Sequence, residues 1–237
     1  MDKPLTFGAD RLVLSEVFDT VQGEGPSMGR PATFLRLGHC NLRCGWCDTK
    51  YTCDWAAHDL RAELRVESVE AVAEDLTARA PRLVVVTGGE PLLQTAALVP
   101  LLEAAVAADK EVEIETAGTL SPSRLREVVT RWNVSPKLAG SGNPLDKRLR
   151  PAVLAEFAAL PNAIFKLVVN SPEDLDEARS LVHAYEIPPE RVWLMPQGRD
   201  TETLRQGSLE LVPVCIEEGF HLGHRLHVTL WGDQRGV

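Results

Sequence analysis

Long apolar runs are missing from this 237-residue sequence. None approaches the ~20 residues that a membrane-spanning helix needs. The first residues, MDKPLTFGADRL, also lack the apolar stretch of a secretory signal. Basic residues are few, with 25 Lys and Arg against 34 Asp and Glu for a formal net charge of -9. That balance excludes a broad grip on nucleic acid, which needs a concentrated cationic face, but leaves room for a local basic pocket. These absences lead us to expect a cytosolic protein, and cysteine is scarce too, with five in all. In a reducing compartment clustered thiols serve as metal ligands or redox groups sooner than as bridges. No repeat, linker or low-complexity tract divides the chain, and 44% hydrophobic residues can bury a core without disulfide or metal support.

What the sequence does contain is a regular alternation of two kinds of segment. Short β-rich runs read as strands at 31–38, 82–89, 111–118, 132–136, 162–169, 191–196 and 224–230. Between them lie helical stretches at 66–80, 92–109, 121–130, 150–160, 171–186 and 200–219. Ser121-Pro122 and Ser171-Pro172 read as helix starts. Alternation of this kind predicts βαβ units on a parallel sheet, with strands rich in Val, Ile and Leu because helices cover both faces. An incomplete (β/α)6-type partial TIM barrel fits the length, as one domain over 1–237 with an N-terminal extension at 1–30; a doubly wound open sheet is the rival. Either architecture gathers ligands at the carboxyl ends of its parallel strands, where the cysteine loop, TGGEP, ETAGT, SPK and MPQG all fall.

Cys40, Cys44 and Cys47 stand within eight residues, in HCNLRCGWCDTKY. Thiolates select soft metals, which leaves zinc or an iron–sulfur cluster. Structural zinc takes four protein ligands, usually as two pairs, and no second C-x2-C is present. His39 or His58 would have to complete such a site, and a zinc-stabilised binding module is the non-enzymatic reading. A [4Fe–4S] cluster held by three cysteines keeps one iron free for an exogenous ligand. Cys53 is a minor alternative ligand, and Cys215, in LELVPVCIEEG, reads as a buried small hydrophobe.

The run Cys40-Asn-Leu-Arg-Cys44-Gly-Trp-Cys47, followed by TGGEP after the next strand, resembles the cluster loop and ligand cradle of radical S-adenosylmethionine (SAM) enzymes. The resemblance implies a [4Fe–4S] cluster whose open iron binds SAM, with the cofactors supplying the radical and the protein supplying placement and shielding. It implies SAM contacts from Trp46, Cys47 and Asp48, and from Gly88-Gly89-Glu90, with the Glu90 carboxylate on the SAM ammonium. Glu115-Thr116, Ser135-Pro136-Lys137 and Met195-Pro196-Gln197-Gly198 fall where further contacts lie.

The segment FDTVQGEGPSMGRPATFLRLGHCNLRC, with Cys47-Asp48-Thr49 after it, is similar to the 7-carboxy-7-deazaguanine synthase family of queuosine and 7-deazapurine biosynthesis. That resemblance spans the chain from QGEG onward. It implies a lyase that converts 6-carboxy-5,6,7,8-tetrahydropterin to 7-carboxy-7-deazaguanine and ammonia by radical ring contraction. It further implies Mg2+ on Thr49, substrate contacts from Val21, Gln22, Gly23, Arg36 and Thr87, and the carboxylate of Val237 reaching the same ligand. Arg36 would pair with the substrate carboxylate in a forked geometry. Partners implied are a flavodoxin- or ferredoxin-like electron donor and a second copy of the chain. Another reading of the cluster loop is a glycyl-radical-enzyme activase, which must embrace a protein; no docking face for one is legible.

Overall fold

Successive side chains of a strand point to opposite faces, so a strand covered on one side shows its polar residues at every second position. That rule organises the computed structural model, which describes residues 5–237. Among the described residues nine strands form one sheet: β1 (Arg11–Val21), β2 (Pro31–Leu37), β3 (Arg65–Ser68), β4 (Leu83–Gly88), β5 (Glu111–Thr116), β6 (Arg131–Val134), β7 (Ala163–Val169), β8 (Val192–Pro196) and β9 (His221–Leu222). Their order is β3-β1-β2-β4-β5-β6-β7-β8-β9. From β2 to β9 all neighbours are parallel, while β1 is antiparallel to β2 and β3. Successive parallel strands are joined through helices, except β5 and β6, which turns connect, and this is the partial barrel expected. The helices are α1 (Leu60–Glu63), α2 (Val69–Ala78), α3 (Thr95–Ala107), α4 (Leu145–Arg148), α5 (Pro151–Ala158), α6 (Pro172–Ala184), α7 (Thr201–Glu218) and α8 (Leu226–Trp231). None of these is long and apolar enough to cross a membrane.

The main core lies on one face only. Leu35, Leu37, Val84, Val86, Val112, Ile114, Trp132, Val134, Phe165, Leu167 and Leu194 project there and pack against residues such as Leu98, Leu101, Phe157 and Leu181 of the helices. Residues one position off in the same strands face the other way. They include Arg36, Thr87, Glu115, Asn133, Lys166 and Met195, one from each of six parallel strands. The expectation of two apolar faces is therefore corrected: one face carries the main core, and the other lines the barrel interior with polar side chains beside a small apolar cluster of Ala32, Phe34, Leu83 and Val85.

Several local expectations change with it. Residues 224–230 form no strand: 226–231 are α8, stopped by Gly232 at φ 68°. Val228 is buried there and the Leu226 amide donates to the Gly23 carbonyl at 2.9 Å. A seven-residue run is too short for its period to separate helix from strand. The stretch 121–130 is a series of turns rather than a helix. Ser121 spends its hydroxyl on Glu156 at 2.7 Å and accepts the Ser123 amide at 3.2 Å. Ser171 does cap α6, accepting the Asp174 amide at 3.3 Å, with Pro172 in the first turn. The helix expected from 66 begins at 69, after β3. Residues 11–21, assigned to an extension, form β1 inside the sheet, with Phe18 stacked on Phe34 of β2 at 5.4 Å.

Candidate active site

Polar side chains on the inner face need partners or a ligand, because a buried unpaired polar group is costly. They surround a cavity of about 430 Å3, within the range of small-molecule sites. The loop after β2, the Gly88-Gly89 turn after β4, the segments after β6 and β8, and the β1–β2 connection all border it. Parallel registry explains why: Arg36 is the β-partner of Thr87, Thr116 of Val134, and Val168 of Met195. The carboxyl ends of the strands therefore open onto one mouth.

Cys40, Cys44 and Cys47 are half-buried and face this cavity. Each sulfur already has a polar neighbour. The Leu42 amide lies 3.4 Å from Cys40 Sγ, Asn143 Nδ2 is 3.2 Å from Cys44 Sγ, and Thr49 Oγ1 is 3.6 Å from Cys47 Sγ. Donors of this kind stabilise thiolates and tune iron–sulfur centres. In the metal-free chain the three thiols differ. Burial pushes Cys40 up to about 12 and also raises Cys44, whereas a hydrogen bond from Cys53, helped by Thr49, brings Cys47 down to about 6. The same bond, then burial, raises Cys53, which is buried on the cavity wall. Cys215 is buried as expected.

The donor set fits a cluster better than a closed zinc centre. Among the described residues no three His, Cys, Asp or Glu side chains converge closely enough to hold a single ion. A cube of iron and sulfur is gripped at its corners, so its thiolates stand farther apart. His39, one of the two histidines that could have closed a zinc shell, has its Nε2 3.2 Å from the Leu5 carbonyl and packs on Phe7. His58 packs edge-on against Tyr51. Neither borders the cavity.

Gly88 and Gly89 press against the cluster loop. The Gly89 amide donates to the Leu37 carbonyl at 3.0 Å and the Glu90 amide to the His39 carbonyl at 2.8 Å. Gly88 sits at φ 120°, and a Cβ on either glycine would strike this backbone. Glu90, expected at an ammonium group, is fully buried and does not border the cavity. Its oxygens accept Thr116 Oγ1 at 2.8 Å and the Ala117 and Leu92 amides at 2.8 and 3.1 Å, and burial raises its pKa in spite of them. It ties the glycine turn to β5 instead. Pro136 is likewise behind the wall, while Ser135 and Lys137 border the cavity, joined at 2.8 Å, with Lys137 over the Trp46 ring. Met195, Pro196, Gln197 and Gly198 form the opposite wall.

The remaining wall is a polar basin. Val21, Gln22 and Gly23 enter from the end of β1, and Val237 stands at the mouth. Gln22 Nε2 reaches Glu115 at 3.3 Å, and Thr87 Oγ1 donates to the same carboxylate at 2.8 Å. Arg36 gives its Nε to Glu16 at 2.8 Å. Its two terminal nitrogens have no hydrogen-bond partner among the described residues, so they remain for an anionic ligand. Glu115, expected among the SAM contacts, borders the same cavity and is hydrogen-bonded to Gln22 and Thr87.

Sequence reasoning missed a second charged group beside it. Glu24 accepts from buried Lys166 and, at 3.1 Å, from Arg225 Nε; Arg225 also donates to Asp48 and, at 2.7 Å, to the Gly198 carbonyl. Burial works against the Glu24 charge, but Lys166, Arg225 and His227 outweigh it and hold the carboxyl well below its usual range. Burial lowers His227 below 6.5 against the pull of Glu24. The available signal was a lone lysine in the apolar strand AIFKLVV; Arg225 and His227 were hidden in the segment misread as a strand.

Comparison with known proteins follows the same lines. The family model described as the radical SAM superfamily matches residues 36–137. SuiB of Streptococcus suis, solved bound to S-adenosylmethionine, is 14% identical, with a TM-score of 0.52 over 78% of this chain and 47% of that one, and shows the fold alone. QueE from Escherichia coli is 26% identical, with a TM-score of 0.68, covering 92% of this chain and 95% of that one. A 7-carboxy-7-deazaguanine synthase of Pyrobaculum aerophilum is 38% identical over 95% of this chain and 97% of its own length. The chain belongs to the 7-carboxy-7-deazaguanine synthase family of radical SAM enzymes.

Proposed function

We propose that the chain performs the reaction its relatives are named for, forming 7-carboxy-7-deazaguanine from 6-carboxy-5,6,7,8-tetrahydropterin with release of ammonia. The observation that carries this reading is one cavity bordered at once by three thiols, the Gly88-Gly89 turn and the Gln22–Arg36–Thr87 basin. Family membership implies a [4Fe–4S] cluster and SAM, which supply the hydrogen-abstracting radical. Cys40, Cys44 and Cys47 would hold the cluster. SAM would lie between the Gly89 turn, Ser135, Lys137 and the Met195–Gly198 wall, with Trp46, Cys47 and Asp48 at its near side.

The pterin would lie in the basin. Gln22 and the backbone of Val21 and Gly23 match its amide-like edge, Thr87 and Glu115 offer a hydroxyl and an acceptor beside it, and Arg36 takes its carboxylate. Mg2+ is assigned to Thr49. This hard ion is satisfied by few protein oxygens together with substrate and water. Asp48 serves it less well, because Arg225 already takes one oxygen of that carboxylate. A homodimer and a flavodoxin- or ferredoxin-like electron donor, which the resemblance implies, and the cytoplasmic setting expected from the sequence complete the reading. No comparison supports an activase or a zinc module.

The test is anaerobic turnover of carboxytetrahydropterin with SAM and reductant, with and without Mg2+, in the parent and in Thr49→Val. We expect about four irons per chain in both proteins. The deazaguanine acid should form in the parent, and most of the Mg2+ stimulation should be lost in the variant. Colourless protein with one zinc, or no product from the parent, overturns the reading; an unchanged Mg2+ response overturns the Thr49 assignment.

A further inference from the structure

Beyond α8, residues 232–237 all border the cavity mouth. Two glycines let the chain turn there, Gly232 at φ 68° and Gly236 at φ 72°, in the region that side chains disfavour. The segment between them is fastened on both flanks of the open sheet. On one flank Asp233 accepts from Arg199 at 3.3 Å, and Arg199, in the connection after β8, also donates to the Cys47 carbonyl at 2.5 Å. On the other flank Arg235 makes four contacts. Its Nη1 is 2.6 Å from Glu63, its Nη2 3.1 Å from Ser15 Oγ and its Nε 3.4 Å from Glu16, and its guanidinium carbon lies 3.9 Å from the Tyr51 ring centroid.

A single exposed ion pair contributes little, but a planar guanidinium that forks and stacks at once is a defined seat. Glu16 is shared in this seat. One carboxylate oxygen accepts from Arg36 at 2.8 Å and from the Tyr51 hydroxyl at 2.9 Å, while the other faces Arg235. An anion on the terminal nitrogens of Arg36 competes with Glu16 for the guanidinium charge while Nε stays in place, and so leaves more of the Glu16 charge to Arg235. A closed Arg235 seat, in turn, leaves Arg36 readier for an anion.

We infer that residues 232–237 are a strap across the site, that Arg235 is its latch and a positioning residue, and that Glu16 couples the latch to Arg36, so that ligand binding and strap closure strengthen each other. This rests on the proposed role of Arg36 as the carboxylate anchor.

The test is amide hydrogen exchange of residues 232–237 in the anaerobically reconstituted enzyme, for the parent, Arg235→Ala and Arg235→Lys, with and without the carboxypterin substrate, alongside steady-state kinetics. Ligand should slow exchange of the parent strap about tenfold, and Arg235→Ala should exchange fast in both states with KM for carboxypterin raised about tenfold and KM for SAM little changed. Arg235→Lys, which keeps the charge without the fork or the stack, should fall between. Parent-like exchange in Arg235→Ala overturns the latch, and fast exchange with an unchanged carboxypterin KM overturns the coupling. If the parent itself fails to turn over carboxypterin, the proposed function fails, and the ligand-free exchange of parent against Arg235→Ala still decides the latch.

Discussion

Single residues in this site carry two duties, and Arg36 shows how they divide. It is largely buried, rests over the Phe18 ring and spends Nε on Glu16, so its charge is compensated before any ligand arrives. A ligand carboxylate would meet the two terminal nitrogens of an arginine already held in place, and pre-organisation of that kind lowers the ordering cost of binding. Arg36→Ala is therefore expected to weaken carboxypterin binding by about 2–5 kcal/mol, the range for losing one partner of a desolvated charge pair. Glu16 keeps Tyr51 and Arg235 in the variant, so the fold should survive. Calorimetric titration checks this; equal affinity in variant and parent would show that Arg36 serves Glu16 alone.

At the scale of elements, the site depends on how closely β4 and its glycine turn approach the loop after β2. A Cβ at Gly89 would be driven into the His39 carbonyl, which cannot retreat without moving the adjoining Cys40. Gly89→Ala should cost about 1–3 kcal/mol, as overpacking does, and should also lower iron per chain after reconstitution. Gly29→Ala is the control: its φ of 83° strains any side chain, yet nothing lies within 4 Å of a Cβ there. It should lose stability and keep its iron. Thermal unfolding and iron analysis separate the two, and full iron in Gly89→Ala would show that the close approach does not shape the cluster loop. The same scale explains what the sequence made legible. β2, β4 and β7 were readable because dense apolar runs ended in turn residues, and the cysteine spacing and Gly-Gly pair marked the mouth they open onto. β1 escaped because RLVLSEVFDTV mixes polar and apolar residues, as a strand lining a polar interior must. The inner face left only scattered polar residues as its trace, among them Arg36, Thr87, Glu113, Glu115, Asn133 and Lys166, and these make no period of their own. α8 was misread because so short a run does not separate the two periods, and because Arg225, just before it, is held by a long-range partner, Glu24, that no local pattern reveals.

For the molecule as a whole, the sheet is open, and buried charge helps to join its flanks. Glu24 follows β1, Lys166 lies in β7, and Arg225 and His227 belong to the segment that carries the chain back to Gly23. Taking such groups out of water is costly, so the arrangement holds only while the charges match. The imidazole of His227 binds its proton more weakly in the folded protein than at its ordinary 6.5. Below that pH the unfolded chain takes up more protons, and stability falls as pH falls. Glu24 extends the loss to lower pH, because a carboxyl held below its usual 4.5 gives its full stabilisation above that value and surrenders it beneath. Cluster-free protein at fixed ionic strength should therefore lose thermal stability from about pH 7 to about pH 5, before ordinary carboxylates titrate. His227→Asn should flatten that slope whatever it does to the melting temperature at neutral pH, since only the proton-binding group is removed. Parallel slopes for the two proteins would place the acid sensitivity elsewhere and leave His227 as packing beside Gly23.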